Sequence, residues 1–280
     1  MPTADEIRDS QRAAWAGLSA GWAKWDSIIR DQLGPVGAAI IEALGITADQ
    51  QHLDIATGTG EPGLSIARQA PRGRVVLTDL APEMLEIAAR RARAQGARNV
   101  ETKVCSADDL PFDDATFDSV SVRFGYMFLP DVRKATAEFV RVLKPAGRVC
   151  ASVWVKPAEN PWTTIAMEAI ATEAALPSPD PDGPNMYRCA APGLVSALYE
   201  GAGLHDVTEW DVGVDLVTRS PAEYWDMISE HVSLAVAALQ QVEPRARERI
   251  RANAIAKAST FEKDGMIRVP GMARCIVGTK

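Results

Sequence analysis

Five short segments rich in β-branched residues alternate with helical patterns through the middle of the chain. They occupy residues 51–56, 74–80, 101–107, 117–124 and 147–155. Between them, apolar residues recur at spacings of three and four, which is typical of amphipathic helices. Because neighbouring parallel strands need long crossovers, this alternation predicts an α/β fold with a doubly wound, mostly parallel sheet and helices on both faces.

The two ends of the chain have a different pattern, which is mostly helical. A bulky apolar stripe at helical spacing lies near the N-terminus: Trp15, Leu18, Trp22, Trp25 and Ile29. Gly17 and Gly21 interrupt this stripe and are the points where we expect the helix to break or bend. Later patterns predict helices near 162–176, 192–202, 225–239 and 245–260, and strands near 206–217 and 273–279.

Together these patterns predict one domain, residues 1–280, that contains a helical lid, a strand–helix core and a region that completes a seven-stranded sheet. The stretch 177–185 is expected to be a loop, since four prolines and a glycine cannot sustain a helix or a central strand. The lid covers 1–48, the core 49–155 and the third region 156–280, with helical insertions at about 156–190 and 218–265.

Composition argues against several classes of protein. The chain has 280 residues and a formal net charge of −7, which does not suit a basic nucleic-acid-binding surface. No apolar run approaches the roughly 18 residues that cross a bilayer, and the charged N-terminal segment does not resemble a secretory signal, so we expect a cytoplasmic protein. Four scattered cysteines and three distant histidines lack metal-ligand spacing, so no metal site is predicted.

The segment HLDIATGTGEPG, residues 52–63, is the most informative about a ligand. A hydrophobic strand ends there in a turn, and Gly58 and Gly60 let the backbone approach a ligand without a Cβ in the way. The helix that begins near Pro62 points free N–H groups at the same place. In a sheet of this kind, ligands bind beyond the carboxyl ends of the strands.

Two classes of ligand fit this loop. Read literally, residues 58–63 match G-x-G-x-x-G, and Asp79 follows about 20 residues later, as in a nicotinamide-dinucleotide dehydrogenase. Asp54 lies in the strand just before the glycines, however, and a buried carboxylate there must be paired or hydrogen-bonded. It either orients the loop or attracts a cationic ligand group, such as an ammonium or a sulfonium.

Four ordered motifs bear on this choice: DIATGTG at 54–60, LTDLAPEML at 77–85, LPFDDATFDSV at 110–120 and RVLKPAGRV at 141–149. Over roughly residues 50–155 the chain resembles the class I S-adenosylmethionine (SAM)-dependent methyltransferases. Among these it is most similar to the ubiquinone/menaquinone-biosynthesis type and its small-molecule relatives. The resemblance implies a Rossmann-like fold, SAM as cofactor and S-adenosylhomocysteine as its product.

The resemblance also implies which residues would hold the cofactor. Those lining its methionine and ribose would be Asp54, Ala56, Gly58 and Gly60. Asp79 would hold the ribose hydroxyls. The neighbours of the adenine and of the methyl end would be Leu80 and Met84, and Arg123 and Phe124, respectively.

One departure from the family concerns the adenine. The family commonly has Asp-Ala before the L-P-F segment, whereas this chain has Ser106 and Ala107. The adenine amino group would therefore be read by Ser106, by the backbone of Ala107 or by Asp108.

The sequence indicates less about the residues that would bind the acceptor of the methyl group. Trp22, Trp25 and Tyr126 are candidates for a substrate pocket, although packing in the core accounts for such residues equally well. His231 is the candidate general base because its unperturbed pKa is roughly 6.5. A surface position for His231 is the favoured alternative.

The expected function is methyl transfer from SAM to a small apolar or aromatic metabolite, such as a secondary metabolite or a quinone precursor. The alternatives are an NAD(P)-dependent oxidoreductase and a SAM-binding enzyme that does not methylate, such as a cyclase. The acceptor atom (oxygen, nitrogen, carbon or sulfur) stays open. The N-terminal apolar stripe suits packing on its own core or on a second subunit, so a homodimer is an alternative to a monomer.

Overall fold

The computed structural model describes residues 3–174, 176, 180 and 183–280, so five residues of the predicted loop at 177–185 lie outside it. The strands are β1 Gln51–Ile55, β2 Arg74–Asp79, β3 Val100–Val104, β4 Phe117–Arg123, β5 Leu143–Trp154, β6 His205–Gly213, β7 Leu216–Thr218, β8 Glu262–Lys263, β9 Met266–Val269 and β10 Met272–Thr279. The helices are α1 Ala4–Lys24, α2 Asp26–Leu44, α3 Gly63–Gln69, α4 Pro82–Ala94, α5 Val132–Val142, α6 Pro161–Ala171, α7 Leu194–Gly201, α8 Pro221–His231, α9 Ser233–Gln240 and α10 Pro244–Ser259.

Within these residues the main sheet has seven strands in the order β3-β2-β1-β4-β5-β10-β6. The first five are parallel to one another, while β10 runs antiparallel to both β5 and β6. This arrangement confirms the predicted α/β fold with a mostly parallel seven-stranded sheet. The five strands predicted from the core pattern all occur in it.

The strand order reverses between β1 and β4, which is where such sheets bind ligands. β1 is buried from His52 to Ile55, as expected of a central parallel strand covered on both faces. The pairing brings Asp54 of β1 level with Leu77 of β2 and Ser121 of β4. A carboxylate is thus enclosed in the middle of the sheet.

The helices of the core pack closely on this sheet. α3 contacts β1 and β2, α4 contacts β2 and β3, and α2 covers β4, β5, β10 and β6. Gly63, the first residue of α3, shows how tight this packing is, because a Cβ there would lie 2.2 Å from a methyl carbon of Leu77. The close approach sets the start of α3 directly over β1.

The region predicted as an N-terminal lid contains two helices, α1 and α2, which meet at Trp25, and α2 packs on the main sheet. The predicted break at Gly17 or Gly21 is wrong, because α1 runs unbroken through both glycines. Gly21 instead permits a close helix crossing, since a Cβ there would lie 2.2 Å from the backbone oxygen of Glu230 in α8. α1 packs on α4, α8 and α9 of its own chain.

The late part of the chain differs from the prediction in two ways. The strand expected at 206–217 is two strands, and β7 belongs to a separate sheet with the order β7-β9-β8. The helix expected at 225–239 is also two helices, because Val232 adopts an extended conformation between α8 and α9. The apolar spacing continues through both helices, so periodicity alone did not show the break.

Among the residues described, no helix is long and apolar enough to cross a membrane.

Candidate active site

A cavity of about 850 Å³ opens at the carboxyl ends of β1, β2 and β4. One end, which we call the cofactor end, is bounded by Gly58, Asp79 and Arg123. The other, the acceptor end, lies under the lid and is bounded by side chains such as Trp22, Trp162 and His231. Both ends belong to one continuous space.

Asp54 lies beneath the glycine loop, fully buried, and is not part of the cavity wall. Its Oδ2 accepts hydrogen bonds from Thr57 Oγ1 at 2.5 Å and from the Gly63 N–H at 3.1 Å, and its Oδ1 accepts one from Ser121 Oγ at 2.5 Å. Burial raises the pKa of Asp54 to about 6, although these donors favour the carboxylate. Of the two roles left open for Asp54, the contacts favour orientation of the loop.

A buried histidine continues this network. Since Ser121 donates its proton to Asp54, its oxygen accepts one from His52 Nε2, at 2.9 Å. His52 Nδ1 then accepts a proton from Ser119 Oγ, at 2.6 Å. Burial lowers the pKa of His52 to about 3, so the ring is neutral and its tautomer is fixed by its neighbours.

Asp79 fixes the other side of the loop and reaches the cavity wall. Its Oδ2 accepts a hydrogen bond from the Gly58 N–H and its Oδ1 from the Ala81 N–H, both at 2.9 Å. Burial raises its pKa. Each carboxylate oxygen keeps lone pairs that a ligand hydroxyl can use.

The two glycines of the loop have different roles. Gly58 has a φ of +55° and open space where a Cβ would stand, so the backbone there faces the cavity. Gly60 has a φ of +110°, and a Cβ there would lie 2.8 Å from Leu64 Cδ1. Gly60 therefore packs against α3 and is not part of the cavity wall, contrary to the role expected from the resemblance.

Arg91 of α4 is a residue that the sequence analysis missed. Its guanidinium donates to the backbone oxygen of Thr59 at 2.6 Å and pairs with Glu61 and Asp26, each at 3.2 Å. It thereby ties the glycine loop to the start of α2 in the lid. Thr59 and Glu61 belong to the glycine-loop motif, but Arg91 and Asp26 lie outside every motif, so only the folded chain shows the link.

The predicted adenine side contains Leu80, Met84, Ser106 and Ala107, all on the cavity wall. Asp108 is 1% exposed and accepts the Ser106 hydroxyl proton from behind that wall. Asp108 therefore positions Ser106 and does not itself reach the cavity. The lone pairs of Ser106 Oγ remain free to accept a hydrogen bond.

Arg123 and Phe124 lie where β4 ends. Arg123 lines the cavity, and its guanidinium has no hydrogen bond or ion pair with the residues that the structure describes. Burial lowers its pKa, while the charges of Glu61, Asp54 and Asp26 act in the opposite direction. A cation without a direct partner at this position suits an anionic ligand group. Phe124 stacks on Trp154 with ring centroids 4.2 Å apart.

His231 is 6% exposed and lines the acceptor end, so the surface position favoured from sequence is wrong. Its Nδ1 donates to the Met227 backbone oxygen at 2.7 Å, because a carbonyl can only accept. Burial lowers the pKa of His231 to about 4, so Nε2 carries a lone pair near neutral pH. The ring lies 6.4 Å from that of Trp162 and 5.9 Å from that of Trp22.

Two predicted pocket residues lie elsewhere. Trp25 donates through Nε1 to Glu230 at 2.8 Å and is absent from the wall of this cavity. Tyr126 is fully buried, and its hydroxyl bonds Thr136. Its role is packing. The sequence analysis did not single out several other lining residues: Phe128, Trp154, Trp162, Thr163, Met167 and Tyr187.

The acceptor end differs from the cofactor end in charge. Among the described residues that line it, none is Lys, Arg, Asp or Glu. Nor do the described residues contain a group of three His, Cys, Asp or Glu side chains that could hold a metal ion.

Known proteins are similar to the strand–helix core of the chain. Residues 37–173 match the ubiE/COQ5 methyltransferase family. A demethylmenaquinone methyltransferase of Thermus thermophilus is 44% identical over 104 residues, which are 36% of this chain and 46% of that protein. The UbiE ubiquinone/menaquinone biosynthesis C-methyltransferase of Proteus mirabilis is 36% identical over 127 residues, or 45% of this chain and 51% of that one. The chain thus spans about half the length of these curated relatives.

Solved structures share the fold over more of the chain. The YcgJ protein of Bacillus subtilis has a TM-score of 0.57 at 21% identity, covering 87% of this chain and 97% of that one. A Haemonchus contortus phosphoethanolamine N-methyltransferase, solved with S-adenosylhomocysteine, has a TM-score of 0.57 at 17% identity, covering 100% of this chain and 60% of that one. The [4+2]-cyclase SpnF has a TM-score of 0.55 at 16% identity, covering 100% and 96%. At these identities the likeness shows the fold.

Proposed function

We propose that the protein transfers a methyl group from SAM to a small apolar or aromatic acceptor, because residues 37–173 match the ubiE/COQ5 methyltransferase family. The observation that carries this proposal is the single cavity that joins the cofactor end to the acceptor end. A methyl donor and its acceptor must occupy one space, sheltered from water.

The residues of the cofactor end fit SAM. Asp79 retains lone pairs for the two ribose hydroxyls, and the open space beside Gly58 admits the ligand close to the backbone. Leu80 and Met84 offer apolar contacts to the adenine, and Ser106 Oγ offers an acceptor to its amino group. These roles agree with those implied by the family resemblance, except at Asp54, Gly60 and Asp108, which act from behind the wall.

The methionine part of SAM is a zwitterion and needs both signs of charge. Arg123 has no direct partner among the described residues and would pair with the carboxylate. Glu61 lies on the same wall and would attract the ammonium, with the buried Asp54 charge behind it. The literal G-x-G-x-x-G motif is thereby explained without a dinucleotide.

SAM supplies an electrophilic methyl group on a sulfonium, and the chain supplies geometry. The aromatic walls hold a flat acceptor in line with that methyl and exclude water. Where the acceptor arrives protonated, His231 Nε2 would receive its proton as the methyl group is transferred, because bond formation makes the acceptor much more acidic. The electron pair left on the acceptor forms the new bond, the pair of the broken carbon–sulfur bond stays on sulfur, and the imidazolium releases its proton to water.

Thermal unfolding with separate additions of SAM, S-adenosylhomocysteine, NADH and NADPH tests the cofactor. At about a hundred times the dissociation constant, a ligand stabilises by roughly 2.7 kcal/mol, or several degrees. We expect a shift with the two SAM-related ligands only. A shift with the nicotinamides only would contradict the proposal.

Mass spectrometry with a panel of flat acceptors tests the reaction. We expect S-adenosylhomocysteine to form together with a product heavier by one methyl group. Turnover of an acceptor without S-adenosylhomocysteine would indicate a non-methylating enzyme.

A further inference from the structure

The strand β3 forms one edge of the main sheet, and its outer side is open. Among the residues described, β3 pairs with β2 alone, and every residue from Glu101 to Val104 is exposed. Val104 is 50% exposed and, with Leu234, is one of two exposed large apolar side chains in the described part of the chain. An open edge of this kind offers unpaired backbone groups to another strand.

Every second residue of β3 directs its backbone groups away from β2. The Asn99 carbonyl and the Cys105 N–H make hydrogen bonds to β2, at 2.8 and 3.2 Å, and these bonds fix the alternation. Because backbone groups alternate in direction along a strand, the outward N–H and C=O groups belong to Val100, Thr102 and Val104. In an antiparallel pair with a second strand, outward groups must lie opposite outward groups.

The charges of β3 favour one register between two copies of this strand. With Thr102 opposite Thr102 of a second copy, each Glu101 lies opposite a Lys103. A shift of two residues in either direction also keeps the outward groups opposed, but it brings two Glu101 or two Lys103 side chains face to face. Opposite charges across an antiparallel pair stabilise it, whereas like charges destabilise it. On the other face of the sheet, the same register places Val104 beside Val100 of the second copy.

The two charged side chains are available for such a pair. Arg74 holds the Glu101 carboxylate in place through N–O distances of 2.7 and 2.8 Å, and each carboxylate oxygen keeps a lone pair for a second donor. Lys103 has no ion pair with any residue that the structure describes. A second copy would supply the partner that Lys103 lacks.

The other edge of the main sheet, β6, lacks this complementarity. Residues 205–213 contain Asp206, Glu209 and Asp211 but no Lys or Arg. Two copies that paired there would bring carboxylates of the same sign together. Of the two edges, β3 is therefore the one that suits a second copy.

We propose that two copies of the chain associate through β3, antiparallel and with Thr102 on the twofold axis, so that their main sheets form one continuous sheet. Residues 100–104, all of which the structure describes, do not line the cavity. The interface is thus separate from the proposed methyl transfer, and either can hold without the other.

Sedimentation velocity tests the association. One pair of five-residue strands is expected to bury less than a standard interface of roughly 1,200–2,000 Å², so we expect a dimer that dissociates on dilution between about 300 and about 1 µM. Lys103→Glu and Glu101→Lys should each weaken the dimer at least tenfold, because each brings like charges together. An equimolar mixture of these two variants should dimerise again, since every charged pair across the interface is then Glu with Lys.

The matched control for the charge reversals is Lys263→Glu. It makes the same change of charge at an exposed position of β8, which is an edge strand of the smaller sheet. We expect this variant to dimerise like the unmodified protein. Circular dichroism checks that each variant is folded.

A disulfide tests the register. The Cα atoms of a hydrogen-bonded antiparallel pair lie about 5.5 Å apart, which suits a disulfide. In Thr102→Cys, diamide should therefore take two electrons and two protons from the opposed thiols and produce a covalent dimer. The unmodified protein and Thr208→Cys, an exposed position of β6, should stay monomeric on denaturing gels.

Three results would overturn this interface. The first is an unmodified protein that stays monomeric over the whole concentration range, which would show that the edge of β3 remains free. The second is a dimer that persists in Lys103→Glu and in Glu101→Lys, which would place the contact elsewhere. The third is a covalent dimer that forms no faster in Thr102→Cys than in Thr208→Cys.

Discussion

The two ends of the cavity differ in how their polar groups are satisfied. At the cofactor end, Asp54 and Asp79 hold the glycine loop through hydrogen bonds made within the chain. At the acceptor end, Trp22 Nε1 and His231 Nε2 have no partners among the described residues. The chain itself thus holds the loop of the first end, where the Arg123 guanidinium is left without a direct partner among the described residues, whereas two ring nitrogens lack one at the second end. The proposed function assigns the first end to the cofactor and the second end to the acceptor.

The largest expected effect comes from breaking the cofactor end at Gly58. Gly58→Val should abolish S-adenosylhomocysteine binding, with at least a hundredfold loss in calorimetry, because the side chain enters the open space and strains a φ of +55°. Gly96→Val is the matched control: it imposes similar strain at a φ of +70°, also in open space, but in an exposed turn away from the cavity. Normal binding by a folded Gly58→Val variant would refute this placement of the site.

We expect the buried His231 at the acceptor end to lower the free energy of unfolding at acidic pH. The folded pKa of His231 is about 4, below its ordinary 6.5. Above pH 6.5 the ring is neutral in both the folded and the unfolded state, so the free energy of unfolding is not reduced. As pH falls from 6.5 towards 4, the unfolded state binds the proton first, and the free energy of unfolding decreases. Glu230, paired with Lys24, is the charged neighbour that opposes this shift. Between pH 7 and 4.5, His231→Phe should lose about 2 kcal/mol less unfolding free energy than the unmodified protein in urea titrations. Equal losses would show that His231 is not buried as a neutral ring.

Protonation of Asp54 changes the free energy of unfolding in the opposite direction over the same pH range. Its folded pKa of about 6 lies above the ordinary 3.8, so the folded state is favoured by protonation as pH falls from 6 towards 4. Asp54 therefore offsets part of the His231 loss in the unmodified protein. The difference between that protein and His231→Phe isolates the histidine.

Asp79→Asn should weaken the cofactor end without removing it. The carboxylate accepts from two backbone N–H groups, and an amide can accept through only one of its two atoms. One N–H loses its partner, at about 1–3 kcal/mol, and S-adenosylhomocysteine affinity should fall about tenfold in calorimetry. Asp211→Asn, which changes a surface ion pair with Arg274, is the control. An unchanged affinity in Asp79→Asn would exclude Asp79 from ribose binding.

Arg91→Gln should have the smallest effect and would test whether the two ends are linked. It removes the ion pairs to Asp26 of the lid and Glu61 of the loop. Hydrogen exchange should become faster at the start of α2, and S-adenosylhomocysteine affinity should fall about fivefold. Faster exchange confined to the glycine loop would show that the lid is held by other contacts.

The same contrast explains what the sequence could predict. The core strands and the positions of Gly58 and Asp79 follow from local patterns, since each motif is a strand and the turn after it. The acceptor end follows from no local pattern. Its rings come from α1, α6, α8, the last residue of β5 and the segment after β4, so their meeting depends on how distant helices pack.

Three predictions were wrong for the same reason, because each depended on how a distant part of the chain packs. Gly21 was expected to bend α1. The glycine instead allows α8 to pack closely against α1, and the sequence does not identify this neighbouring helix. His231 was placed at the surface because the lid over it lies some 200 residues earlier in the chain. Trp25 belongs to the same apolar stripe as Trp22, yet the turn at Trp25 directs it to Glu230 and away from the cavity.

The placement of β10 in the main sheet has a consequence for how the protein is made. β10 lies between β5 and β6, yet it is translated about sixty residues after β6. While the ribosome adds those residues, β6 has no neighbour to pair with, and the free edge of β5 is open to other chains. Only when β10 has emerged can both edges be closed. β10, which is synthesised after both of its neighbours, is thus the strand that closes both edges and protects them from other chains.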